Sequence, residues 1–382
     1  MKDNEVLVFG KGEEYQKLFL DTLEVQKKTD VWMRCYLKEV TLYPLDNNPI
    51  CIPLLKEDKH IICDDEILKE AMESGEKAIL VEFPLHGVLT HVPMRSTAFS
   101  SVNSRARLSG TSLAKMSATD YCTVMNIGLS LYNEECLVLY RDDKVSAIHS
   151  GDKNDYSVLP MYDLMQALLT GMDDLKFKYE FVSGFLDHSY CSASFAIKNK
   201  DIVEIYEPFM QKLGYVGKNK LVPVLRFSSS DVATNGANLT PYLTDGKLSI
   251  QIGNDLSLTH KNNATVEQFA ENVQNVYAIF QASVANLERL EKYKVEYPED
   301  CFANICKKIG AANKYASEAL STFSATRSST PNGLELYMAL WEIITQLQNA
   351  GCSESLIFAY QEKLSRVLFF NLETYDKAEK LS

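Results

Sequence analysis

The sequence predicts an α+β fold: a mixed, mostly antiparallel sheet with packed helices, followed by a C-terminal helical region. Three observations predict it. Strand-like alternation and helix-like periodicity are interleaved without the regular βαβ spacing of a doubly wound sheet. After about Asn263 only the helical period persists. The 382 residues are 46% apolar and include 17 Phe and 20 Tyr, enough for a sizeable core and too many for a disordered chain. The change of period divides the chain into an α+β core domain over 1–262 and a helical domain over 263–382.

Taken in order, residues 5–9 predict a strand, and Glu13–Lys28 a helix with Tyr15, Leu18, Phe19 and Leu23 near helical spacing. Val31 to Tyr43, rich in branched and aromatic residues, predicts one or two strands, and Pro44 with DNNP a turn. Asp64 or Asp65 caps a predicted helix that runs to Ser74 and stops at Gly75. KAILVEF (77–83) is a buried strand. Over 80–120, two short helices are predicted around a Leu-Ser-Gly turn, Ser96 capping the first and Thr111 starting the second. Asp120 to Tyr132 is a further helix, and CLVLYRD and KVSAIHS a hairpin turning at Asp142 and Asp143. Pro160 opens a helix that Gly171 ends. Lys176 to Ile197 gives two strands and Ile202 to Leu213 one helix. LVPVLRFSSSDV, NLTPYL and LSIQIG complete the sheet. The helical part comprises Val266–Tyr293, Pro298–Ile309, Leu334–Ala350 and Glu354–Leu368, with the Ser/Thr-rich 321–333 as a loop.

The formal charge of −12 argues against a protein that coats duplex DNA by bulk attraction. That charge is uneven. Phe83 to Thr119 holds no Asp or Glu in 37 residues but carries Arg95, Arg105, Arg107 and Lys115, so this stretch is +4 and the remainder −16. Its Gly110 turn resembles that of a helix-turn-helix. Nine cysteines at irregular spacing fit reduced, buried thiols, and Cys301 and Cys306 lack the second pair that a zinc site needs. The His, Ser and Gly spacings of zinc proteases, serine hydrolases and nucleotide loops are absent. No cofactor or metal is therefore expected. No run of 18 apolar residues exists, and the start MKDNEVLVFGKGEEY lacks an apolar leader core, so neither a membrane partner nor secretion is expected.

Several motifs occur in a telling order: the basic helical pair MRSTAFSSVNSRARLSGTSLAKM, then LVLYRDDKVSAIHSGDKNDYSVLPMYDLMQAL, LVPVLRFSSSDVATNGANLTPYL, LSLTHKN, and NGLELYMALWEIITQLQNA. This order resembles the uncharacterised phage/plasmid-like family known as domain of unknown function 932. The resemblance covers about residues 80–350. It rests on Arg141, Asp142, Val145, Ala147 and Ser150 in the hairpin, on Ser228, Ser229, Ser230 and Asp231 at a strand end, and on His260. GDKNDY after the hairpin and Ala233, where a glycine is common in the family, depart from it. The resemblance implies a mobile-element origin and a cytoplasmic location in a bacterial host, with no known activity.

Three functions are open on this sequence. The first is an accessory protein of phage or plasmid recombination or replication that binds single-stranded nucleic acid and assembles as a homo-oligomer. Arg95, Arg105, Arg107, Lys115, Arg141 and Arg226 would then meet phosphates, and Phe99, Tyr121 and Tyr140 would stack on bases. The second is an acidic interaction module for a host or phage protein with a basic surface. The third is a metal-dependent enzyme on nucleic acid. His149, Ser230, Asp231 and His260 would supply its polar site, and Asp152 and Asp155 would offer oxygen ligands, although turn chemistry accounts for the same residues.

Overall fold

The structure, a computed structural model, describes residues 5–45, 66, 69–71, 77–215, 220–245, 249–352 and 354–378. It is α+β with antiparallel strand pairing, as the interleaved periods require. Strand β1 (Leu7–Phe9) leads into helix α1 (Glu13–Thr29). Glu13 and Glu14 lie in the first turn of α1, and Lys27 and Lys28 in the last, each matching the helix dipole. Strands β2 (Val31–Tyr36) and β3 (Thr41–Pro44) flank a short 3-10 turn. The expected helix starting at Asp64 or Asp65 lies largely outside the described residues.

KAILVEF contributes to β4 (Ile79–Leu85), which pairs with β5 (Val88–Pro93). His86 and Gly87, with φ of 50° and 79°, close that hairpin tightly. The acid-free segment then gives α2 (Ser96–Arg105) and a single turn, α3 (Ser112–Lys115). Arg95, not Ser96, occupies the cap position of α2, and α3 is too short to be a recognition helix. Helix α4 (Ala118–Ser130) is capped by Ser117, whose Oγ accepts from the Asp120 amide at 3.1 Å. Strands β6 (Glu135–Arg141) and β7 (Lys144–Ser150) form the expected hairpin, with Asp142 and Asp143 at φ 50° and 59°.

Helix α5 (Met161–Asp174) runs through Gly171 instead of ending there. The glycine answers a packing demand: a Cβ at Gly171 would lie 2.6 Å from Cγ1 of the buried Val273. Strands β8 (Tyr179–Leu186) and β9 (Cys191–Ile197) follow. The single helix expected over Ile202–Leu213 is split into α6 (Lys200–Glu204) and α7 (Glu207–Lys212). Pro208, which has no amide hydrogen, is tolerated only in a first turn and so starts a new helix. Next come β10 (Val222–Ser229), β11 (Ala237–Thr244), β12 (Ser249–Gln251) and the unforeseen β13 (Leu256–Leu258).

The pattern over Val266–Tyr293 breaks into α8 (Val266–Val273) and α9 (Val276–Lys292). At the break Asn275 leaves helical geometry, and its side-chain amide donates to the Glu271 carbonyl at 3.2 Å. Helix α10 (Pro298–Ile309) has its predicted bounds. Helix α11 (Asn313–Thr326) takes in 321–326, the first part of the segment expected as loop, and most of the rest is irregular. Its Thr322 and Thr326 hydroxyls bond carbonyls four residues back, so hydroxyl-rich composition misleads there. Helices α12 (Gly333–Leu340), α13 (Glu342–Asn349) and α14 (Glu354–Val367) follow, and then a short 3-10 turn at Leu372–Thr374.

Among the described residues three sheets form. One has the order β1-β8-β9-β10-β11-β12, with β13 also on β11; the others are β2-β6-β7 and β3-β4-β5. The two small sheets, α2 and α4 share one apolar core around Val81, Val102, Met125 and Val138. The large sheet shares another with α1, α5 and the later helices. That core runs across position 262/263, for Phe227 packs edge-on against Phe269 at 5.7 Å and Tyr242 against Trp341 at 6.3 Å. Gly171→Ala tests the α5–α8 approach. Overpacking against Val273 should outweigh the ~1 kcal/mol helix-propensity gain and lower stability by about 1–2 kcal/mol, read from the urea midpoint. An unchanged midpoint would show that the two helices can separate at little cost.

A buried arginine knot and a polar recess as candidate sites

Arg141 ends β6 and Asp30 lies between α1 and β2, while Asp231 follows β10. These three meet in the interior. Arg141 Nε and Nη2 donate to the two carboxylate oxygens of Asp30 at 2.8 and 2.5 Å, and Nη2 also donates to Asp231 Oδ2 at 2.6 Å. Arg141 Nη1 donates to the His188 carbonyl at 2.9 Å. The three side chains are 2%, 8% and 6% exposed, so these are desolvated ion pairs and not surface ones. Burial works against the Arg141 charge, but the two aspartates outweigh it and hold its pKa above the ordinary value. Burial raises the pKa of Asp30, with Arg141 pulling the other way. Asp231 Oδ1 is buried with no hydrogen-bond partner among the described residues.

Beside this knot Tyr156 is sandwiched between two imidazoles. Its ring stacks on His149 at 3.6 Å and 11°, and on His260 at 5.4 Å and 10°. The Tyr156 hydroxyl and His149 Nε2 both donate to the Asp231 carbonyl, at 2.7 and 2.9 Å, which fixes the ring hydrogen of His149 on Nε2. His260 Nδ1 donates to the Ser157 carbonyl at 3.1 Å, leaving Nε2 to accept from Ser229 Oγ at 3.4 Å. Ser230 Oγ donates to the Ser189 carbonyl at 2.6 Å. The structure therefore brings His149, Ser230, Asp231 and His260 to one place together with Arg141.

Their geometry corrects the expected acid/base site. The Asp231 carboxylate is turned to Arg141, and only its main-chain carbonyl faces an imidazole. Ser229 has no exposed surface, and the group orienting His260 is a backbone carbonyl. The arrangement ties β7, the strand end and the segment before α8 together. Asp152 caps a turn by accepting from the Asn154 amide at 2.8 Å, and no group of three or more His, Cys, Asp or Glu able to hold a metal occurs among the described residues.

The expected basic track is corrected too. Arg95 is 1% exposed and pairs with Asp142 at 3.2 Å, and Arg141 is spent in the knot, so neither can meet a phosphate. Arg107 is exposed but pairs with Glu134 at 2.5 Å and lies over the Tyr132 ring. Arg105 and Lys115 form no ion pair among the described residues. Tyr121 is a core residue, its hydroxyl on Asn103 at 2.7 Å and its ring against Phe99. The Tyr140 hydroxyl donates to Asp143 at 2.5 Å. A sequence of arginines shows where cations occur and not which acids fold onto them.

Arg226 differs. It projects from β10, its guanidinium 4.3 Å from the centre of the Tyr242 ring on β11, and Nη1 donates to Gln361 Oε1 of α14 at 3.0 Å. It lines a recess of about 260 Å³ with Tyr242, Asn238, Gln251, Asp255 and Gln361. Gln251 Nε2 donates to Asp255 Oδ1 at 3.0 Å. Burial in the recess raises the Asp255 pKa, a hydrogen bond from Thr240 opposes this, and Glu362 adds to it. Sequence reasoning named Arg226 but missed its companions. The missed signal is alternation: Arg226 and Ser228 on β10, and Asn238, Thr240 and Tyr242 on β11, are polar positions two apart whose register sets Arg226 beside Thr240.

Two outcomes are expected. His149 has its pKa lowered to about 4, first by burial. Between about 6.5 and 4 the unfolded chain binds a proton there that the folded chain refuses, so stability falls as pH drops through that window. The loss is about 3 kcal/mol, with lowered His260 adding to it and raised Asp30 opposing it. His149→Gln should flatten the denaturant midpoint between pH 6.5 and 4; an unaltered slope would place the titration elsewhere. Ala233, at φ 61°, sits in the left-handed region that glycine favours, so Ala233→Gly should raise stability by about 0.5–1 kcal/mol, read from the denaturant midpoint. No family model, curated protein or solved structure matches the chain.

Proposed function

We propose that this chain is an accessory protein of a phage or plasmid that binds single-stranded nucleic acid, with the Arg226 recess receiving an unstacked base. The observation that carries this is the recess itself: an arginine lying over a tyrosine, walled by amides and a carboxylate, on adjacent strands of the large sheet. A guanidinium held against an aromatic ring offers the edge of an unstacked base a fixed fork of donors, and the amides and the carboxylate can meet its other edges. The volume of about 260 Å³ suits one ring system, below the roughly 300–1,000 Å³ of drug-sized pockets. Arg105 and Lys115 add cations free of ion pairs among the described residues. The phage or plasmid setting rests on the order of sequence motifs. A net charge of −12 makes such binding local and salt-sensitive.

Labelled single strands should shift in fluorescence anisotropy at about 50 mM salt and release well before 300 mM. Arg226→Ala should weaken binding about tenfold or more, and Arg105→Ala with Lys115→Ala by less. No shift at 50 mM, or full binding by Arg226→Ala, would sink the reading. A second reading, a module for a basic protein partner, draws on a groove of about 680 Å³ between α1, α5 and β8 that carries Glu13 and Asp21, with Lys17 beside them and with Glu24 and Glu180 paired to Lys28, Lys11 and Lys198.

A further inference from the structure

We infer that the recess selects guanine: Arg226, a fork of donors, and Asp255, a pair of acceptors, line one ring-sized space, and guanine's two adjoining edges carry the complementary pairs. This rests on the strand-binding reading and names what that site would take. Guanine offers two neighbouring acceptors, O6 and N7, to an arginine fork, and two neighbouring donors, N1–H and N2–H, to a carboxylate. The other bases break this pairing. Adenine sets a donor beside N7, so half of an arginine fork meets a like group. Cytosine gives a carboxylate one amino group flanked by the acceptor N3. Thymine and uracil offer one imide hydrogen between two carbonyls.

The walls hold the two charged groups in fixed poses. Gln361 accepts from Arg226 Nη1 at 3.0 Å, and the Tyr242 ring lies 4.3 Å beneath the guanidinium. Gln251 donates to Asp255 Oδ1 at 3.0 Å. Arg226, Asp255 and Tyr242 line the same recess. A recess built for a phosphate or a carboxylate would not present Asp255 and Glu362 at its walls. Fixed donors and acceptors of this kind reject an analogue that leaves one unpaired, which is the stronger mode of discrimination.

The test uses the full chain at 50 mM salt. Labelled dT12 strands carry one central dG, dA, dC or deoxyinosine, and guanosine and adenosine are titrated separately by calorimetry. The dG strand should bind about tenfold more tightly than the others, and deoxyinosine, which lacks the N2 amino group, should lose most of that gain. Asp255→Asn should erase the guanine preference, bringing the dG strand to the affinity of the dA and dC strands. Arg226→Lys, which keeps the charge but not the fork, should reduce the preference as a second, conservative variant. Equal binding of all four strands would overturn guanine selection and leave strand binding standing. Guanosine binding without any strand binding would keep the guanine recess and overturn the strand reading. Neither strand nor guanosine binding would remove both.

Discussion

Two aspartates from distant parts of the chain converge on one buried guanidinium, and the surrounding structure is arranged to make that affordable. Asp30 lies 111 positions before Arg141, and Asp231 90 positions after it. A buried charge stripped of its partner costs roughly 3–5 kcal/mol, so none of the three groups can be lost alone without leaving the others exposed to that penalty. The knot also sets the relation between the small sheet β2-β6-β7 and the large sheet. Arg141 closes a strand of the first, and Asp231 follows a strand of the second. The Tyr156 sandwich extends the same junction, with both flanking imidazoles kept neutral by burial.

Much of this junction was legible as residue types and little of it as geometry. Arg141, His149, Ser230, Asp231 and His260 stand out in the sequence because they fall in turn-rich strand ends. Their convergence was hidden, since it depends on which strands neighbour one another. Asp30 reads as an ordinary boundary residue between a helix and a strand, and Tyr156 is one of 20 tyrosines with no spacing to mark it. Helix bounds followed local rules where caps and prolines act alone, as in α10. They failed where tertiary contact overrides the local signal, as at Gly171, whose missing side chain serves a neighbouring helix.

The acid-free stretch gives the same lesson for charge. Its four cations are a property of one segment, but their fate is a property of the fold: Arg95 and Arg107 are answered by Asp142 and Glu134 from the chain that follows. What the segment supplies to the fold is mostly apolar, through Ala98, Val102 and Leu113 in the core of the small sheets. Arg226, set between Leu225 and Phe227 in sequence, lines a polar recess.

The hydrogen bond from Arg226 to Gln361 spans 135 positions and closes one wall of the recess with helix α14. Any molecule seated there touches the large sheet and that late helix at once. Occupancy is then thermodynamically linked to the docking of α14: whatever loosens the helix weakens the ligand, and the ligand in return holds the helix down. Amide hydrogen exchange in α14 thus becomes a gauge of the recess, at a distance in sequence where no motif would suggest looking.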